Sequence, residues 1–167
     1  RVRRRAVDPF IFAYIGRHQP AKGINILVDA AVKILTDDPG LHGKFLIKIF
    51  GRADMGSMLA LNRRIQEIQG GTEVFEWHPE YVNQNIVEEV FNQIDAIIVP
   101  SIWEENSPLV IYEAQQCRVP VITANCGGMS ELVRHNENGL TFYHRSTESL
   151  ASTMLDAICS PEEVERL

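Results

Sequence analysis

Short apolar runs that do not alternate with polar residues constrain this chain most. Phe10 to Ile15, Phe45 to Phe50, Ala96 to Val99 and Val119 to Thr123 are apolar nearly throughout, each bounded by Gly, Pro or polar residues. A strand with one wet face would alternate. A strand apolar on both faces belongs in a parallel sheet covered on both sides. Glu73 to Glu76 and Gly139 to Tyr143 are weaker strand candidates.

Between the strands the apolar period lengthens to that of a helix. Leu27, Ala30, Ala31 and Ile34 form one stripe, and Met58, Leu61, Ile65 and Ile68 a second. Ile86, Val90, Phe91 and Ile94 form a third, and Leu150, Met154 and Ile158 a fourth. Strand–helix repetition from end to end predicts an α/β fold, a doubly wound and mostly parallel sheet flanked by helices, Rossmann-like. In such a sheet ligands bind beyond the carboxyl ends of the strands. The residues after each strand are therefore the ones to search.

After the first strand come Gly16, Arg17, His18, Gln19, Pro20, Ala21, Lys22 and Gly23. Arg17 and Lys22 flank a Pro-containing turn at the start of a helix, which suits a diphosphate. Gly16 and Gly23 would let backbone approach closely. The residues alone leave an exposed turn with two solvated cations equally open. No G-x-G-x-x-G follows this strand and no G-x-x-x-x-G-K-[ST] occurs, so the dinucleotide fingerprint and the P-loop are both missing.

After Pro100 and Ser101 the chain reads Trp103, Glu104, Glu105, Asn106, Ser107, Pro108, Leu109, Val110, Ile111, Tyr112, Glu113. Ser107 as cap and Pro108 in the first turn mark a helix start. Glu105 then precedes the helix and Glu113 lies inside it, while the amides of Leu109 and Val110 are open to phosphate oxygens. The bland alternative is a carboxylate favoured by the helix dipole and a second on the surface. Gly127-Gly128 reads equally as a close approach to a ligand or as a turn with Ser130 capping a helix. Trp103 reads as closing the edge of the core.

Composition removes other classes. A formal charge of −6 over 167 residues argues against a nucleic-acid surface. Arg1, Arg3, Arg4 and Arg5 are read as a solvated tail, with contact to an anionic membrane as the rival reading. No apolar run reaches the length of a membrane span, and no signal peptide is evident. Cys117, Cys126 and Cys159 are expected to be buried, reduced thiols. The histidines, His18, His42, His78, His135 and His144, lack metal-ligand spacing and are expected to be solvated or structural; His18 and His78 sit beside the candidate site.

Arg17 and Lys22, Pro100-Ser101, Glu105 and Glu113 in an E-x7-E arrangement, Val119-Pro120-Val121-Ile122, and Gly127-Gly128 with Glu131 occur in one order. In that order the chain resembles, from about Phe10 to Ile158, the carboxyl-terminal domain of the group 1 (glycogen-synthase-like) retaining GT-B glycosyltransferases. The resemblance implies a donor site for a nucleoside diphosphate sugar. Arg17 and Lys22 would bind the diphosphate, Glu105 the transferred sugar, Glu113 the ribose, and the amides of Leu109 and Val110 the sugar and phosphate. Trp77 and His78, after the third strand, would cradle the base. Many relatives carry Phe-Gly where this chain has Ser107-Pro108, which bears on sugar preference. No D-x-D motif is present to hold a metal-bound diphosphate, and Arg17 and Lys22 can supply the positive charge, so a metal-independent site with no cofactor is expected. Residues 1–9 are read as a linker or tail and 10–167 as the donor domain. An amino-terminal acceptor domain is missing, and the isolated chain is expected to be inactive. A cytoplasmic setting follows, with the full-length enzyme at the inner face of a membrane as a peripheral protein. A nucleotide-sugar epimerase and a non-catalytic nucleotide-sugar sensor remain as rivals.

Overall fold

A computed structural model describes residues 8–52, 55–68, 71–106 and 108–167. The Arg1 to Arg5 run and Ser107 lie outside the described residues.

The strands are β1 (Phe10–Ile15), β2 (Phe45–Phe50), β3 (Phe75–His78), β4 (Ala96–Val99), β5 (Val121–Ala124) and β6 (Leu140–Phe142). The helices are α1 (Ile24–Asp37), α2 (Met55–Gln66), α3 (Gly71–Val74), α4 (Ile86–Glu89), α5 (Leu109–Gln116), α6 (Gly127–Leu132), α7 (Thr147–Cys159) and α8 (Pro161–Glu165). Every pairing is parallel, in the order β3-β2-β1-β4-β5-β6. The predicted α/β, doubly wound, parallel architecture is therefore what forms.

The unbroken apolar runs are the reason. Phe12, Ala13 and Tyr14 of β1 and every residue of β5 are buried, so both faces of the central sheet are covered. The α1 stripe of Leu27, Ala30, Ala31 and Ile34 is wholly buried. Each such Leu or Ile taken from water contributes about 1.5–3 kcal/mol. Ser146 caps α7 by accepting from the Ser149 amide at 3.1 Å.

Three expectations shift. The third strand is Phe75–His78, not Glu73 to Glu76, because Gly71–Val74 closes a helical turn and pairing with β2 starts at Ile47 opposite Phe75. The fifth, β5, begins at Val121, after Pro120, not at Val119. The third helical stripe is not one helix. α4 stops at Glu89, where the Gln93 side-chain amide donates to the Glu89 carbonyl at 3.0 Å and satisfies the helix end. Its apolar residues Ile86, Val90, Phe91 and Ile94 are nonetheless all buried.

Candidate functional site

The strand order reverses between β1 and β4. Crossovers leaving these two strands depart to opposite sides, and a crevice opens at their carboxyl ends. Into it come the loop of Gly16 to Gly23 from β1 and the loop of Pro100 to Pro108 from β4.

The two loops are built as one piece. The amides of Ile102 and Trp103 donate to the Ala21 carbonyl at 3.0 and 3.3 Å. Gly23 has φ 76°, and a Cβ there would collide with the Pro100 carbonyl oxygen, so only glycine permits this approach. Gly128, after β5, is equally tight against the Asn106 carbonyl, and its amide donates to Glu105 O at 2.8 Å. The close approach at Gly127-Gly128 is thus to the chain's own loop. Ser130 does not cap α6; it lies within the helix, and its hydroxyl donates to the Gly127 carbonyl.

Lys22 and Glu105, 83 residues apart, form an ion pair across the crevice. Ser101 Oγ is 3.1 Å from the same Glu105 oxygen and 3.1 Å from the Ala21 carbonyl. Side-chain exposures of 42% for Lys22 and 18% for Glu105 place the pair at the rim. A pair so open to water contributes about 0–1 kcal/mol, so it is a weak staple for the fold. The Arg17 guanidinium is exposed, and among the described residues no carboxylate pairs with it.

α5 starts at Leu109 with Pro108 as its cap, extended at ψ 113°, rather than with Pro108 inside the first turn. The Ile111 amide already returns to the Pro108 carbonyl at 3.0 Å. The Leu109 and Val110 amides are the first of the helix, where no intrahelical acceptor exists. Glu113 sits one turn further in, as expected.

Trp77 and His78 were expected just past the third strand; instead they are its last two residues, in register with Ile49 and Phe50. His78 stacks on Phe50 at 4.6 Å, and Trp77 packs on His18 at 5.4 Å. Gly16 joins this end of the sheet by donating to the Phe50 carbonyl at 3.1 Å. Tyr81 extends the wall, 6.4 Å from Phe50. Its phenol is pushed above the usual value, by burial first and then by the charges of Glu113 and Glu80. Glu113 thus lies within electrostatic reach of the aromatic cluster.

Sequence reasoning missed Tyr81 and gave Ser101 no role in the site; His18, expected to be solvated or structural, is 3% exposed with neither ring nitrogen paired among the described residues. Burial pushes it below the ordinary value of 6.5, against a smaller opposing pull from the Phe50 carbonyl. An unpaired buried polar group costs about 1–3 kcal/mol. The apolar run preceding Ser101 gave no signal that its hydroxyl meets Glu105, and nothing before Tyr81 pointed to its packing on Phe50. Trp103 does not close the core: it is 68% exposed. Cys117 and Cys126 are half-buried and Cys159 is exposed, all as free thiols.

A concavity of about 540 Å³ lies elsewhere, between α7, α8 and the turn at His135 to Glu137. It shares no residue with the crevice and lies off the carboxyl ends of the central strands, so the switch point is the better candidate. Among the described residues no helix is long and apolar enough to cross a membrane.

The family model described as "Glycosyl transferases group 1" matches residues 1–167. The D-inositol 3-phosphate glycosyltransferase of Geodermatophilus obscurus is 30% identical over 152 residues, covering 89% of this chain and 33% of the relative. That of Acidothermus cellulolyticus is 33% identical over 146 residues, covering 84% and 32%. This chain spans about a third of the length of these relatives. Anabaena Alr3699/HepE, solved in complex with UDP, superposes with a TM-score of 0.81 at 23% identity, covering 96% of this chain and 42% of that one. The same protein was solved with UDP-glucose. The carboxyl-terminal domain of a group 1 glycosyl transferase from Francisella tularensis superposes at 0.77, with 18% identity over 93% of this chain and 78% of that one.

Proposed function

This chain belongs to the group 1 glycosyl transferases, and from that premise we propose that it is the donor-binding domain of a retaining glycosyltransferase, holding a nucleoside diphosphate sugar between β1 and β4. The observation that carries this reading is the meeting of Lys22 and Glu105 at the switch point, with Arg17 exposed beside them.

In this reading the diphosphate takes Lys22 from its carboxylate and completes the neutralisation with Arg17. The leading amides of α5, at Leu109 and Val110, turn their dipoles to the same oxygens. As the sugar–phosphate bond breaks, negative charge grows on the departing nucleotide. The fixed cations and amides then interact more strongly than in the ground state, which converts binding into rate. Glu105, freed from Lys22 and steadied by Ser101, accepts hydrogen bonds from the sugar. Glu113 accepts from the ribose hydroxyls, and Trp77, His78 and Tyr81 wall the base. Gly16 and Pro108 shape the two loops. Arg17 and Lys22 supply the positive charge, without a metal or cofactor. The acceptor is bound by a domain outside these 167 residues, so residues 10–167 alone bind donor without turning it over.

Calorimetric titration with uridine, adenosine and guanosine diphosphates tests this. One of the three is expected to bind in the micromolar to low millimolar range. Absence of binding by all three at millimolar concentration overturns the assignment.

A further inference from the structure

His18 stands in the middle of the diphosphate loop, and its burial conflicts with its chemistry. Its side chain is enclosed, yet both ring nitrogens are without a hydrogen-bond partner among the described residues. Natural cores rarely leave such groups unpaired. The ring is wedged between Tyr14 of β1, at 6.0 Å, and Trp77 of β3, at 5.4 Å. Its backbone amide donates to the Arg52 carbonyl at 2.9 Å. On its other side the Tyr14 hydroxyl donates to the carbonyl of Arg17 at 2.7 Å. The peptide that carries Arg17 is thus gripped between the Tyr14 hydroxyl and the imidazole wedge, while its guanidinium projects outward.

A hydrocarbon side chain would fill this wedge without orphaning two nitrogens. What imidazole adds is a protonation within the physiological range. The groups facing it are the Tyr14 phenol from β1, the Phe50 carbonyl from β2 and the Trp77 indole from β3, none of them charged at neutral pH. The neighbouring charge along the loop is Arg17 itself, a cation. Only the Phe50 carbonyl favours a positive charge in the wedge, and burial outweighs it.

Resting on the donor reading above, we propose that His18 is a positioning residue for Arg17, a wedge that holds the diphosphate loop while neutral and releases it when protonated. The imidazolium has two N–H donors and, among the described residues, one acceptor in reach, the Phe50 carbonyl, which also accepts from the Gly16 amide. That carbonyl can pair with at most one of the two donors, so the ring must turn the other toward water, and the Arg17 peptide shifts with it.

The test is the pH dependence of UDP-glucose affinity for the full chain and for His18→Leu. Both phosphates of this probe stay ionised across the range, and the remaining histidines contribute equally to both proteins. Below His18's own titration point, the parent is expected to lose affinity by about tenfold per pH unit. His18→Leu, which keeps the wedge and removes the proton, lacks that component. Identical profiles for the two proteins overturn the proposal. So does parental binding that strengthens on acidification, since His18 would then be contacting the diphosphate rather than holding Arg17. If neither protein binds UDP-glucose at any pH, the choice of donor fails, and the wedge is read directly by NMR. The Arg17 and Gln19 amide signals should then shift along the titration of the His18 ring. Amides that stay fixed through that titration overturn the wedge.

Discussion

β1 and β4 pair from Phe12 opposite Ala96 to Tyr14 opposite Ile98, but the two ends of this pair are built differently. At the amino ends, the Asp95 carboxylate accepts the Ile11 amide at 2.7 Å, and the Ile11 carbonyl accepts the Asp95 amide at 2.8 Å. There the strands close on each other. At the carboxyl ends the crossovers part: the rim carries an ion pair, and the loop after β1 carries an outward guanidinium and a buried imidazole whose ring nitrogens have no partner among the described residues. One end of the pair satisfies its polar groups and stabilises the fold. The other leaves polar groups under-used, as a site does before it meets its ligand.

The comparison breaks most visibly if the open end proves to be structurally idle. Gly23→Ala tests this, since it places a methyl group against the Pro100 carbonyl at a positive φ. A loss of about 3 kcal/mol or more in urea unfolding is expected. An unchanged midpoint would mean that the loops are not held together. Arg17→Ala and Lys22→Ala should do the reverse. Each is expected to weaken nucleoside diphosphate binding by about 10- to 100-fold in calorimetry, the worth of one charge-assisted contact, with stability within about 0.5 kcal/mol of the parent. If both variants bound like the parent, the phosphate assignment would be wrong.

At the closed end Asp95→Ala leaves the Ile11 amide unpaired. It should cost about 1–2 kcal/mol of stability and leave nucleotide affinity intact, as chemical denaturation and titration together would show. The smallest effect concerns acid. His18 binds its proton more weakly folded than unfolded. Its contribution is therefore present above pH 6.5 and is lost as pH falls from 6.5 through the lowered folded-state value. Thermal melts should show His18→Leu losing less stability than the parent over that window. Parallel curves would show that burial does not perturb this histidine.

The closed end, and the fold as a whole, could be read from the chain because local pattern dictates them. Runs such as Phe10 to Ile15 admit few structures other than a strand covered on both faces. Boundaries were less legible. Gly71 to Val74 carry a strand-like valine but close a turn, and Gln93 ends α4 with a side-chain bond that no periodicity reveals. At the open end, Arg17, Lys22, Glu105 and Glu113 were visible as an ordered set, yet the contact between Lys22 and Glu105 spans 83 residues and depends on the sheet order. Tyr81 was hidden for the same reason, and Ser101, visible in the ordered set, gave no sign of its contact with Glu105. His18 was read as solvated or structural, and its burial is decided by Tyr14 and Trp77, which arrive from two different strands.

The fit of Gly23 against Pro100 also sets how this domain can be recombined. Residues 16–23 and 100–106 meet backbone to backbone at Gly23 and Pro100 and are stitched through Ala21, Ile102 and Trp103. They behave as one heritable part. A transplant of the first segment from a related sequence will work only when the second travels with it.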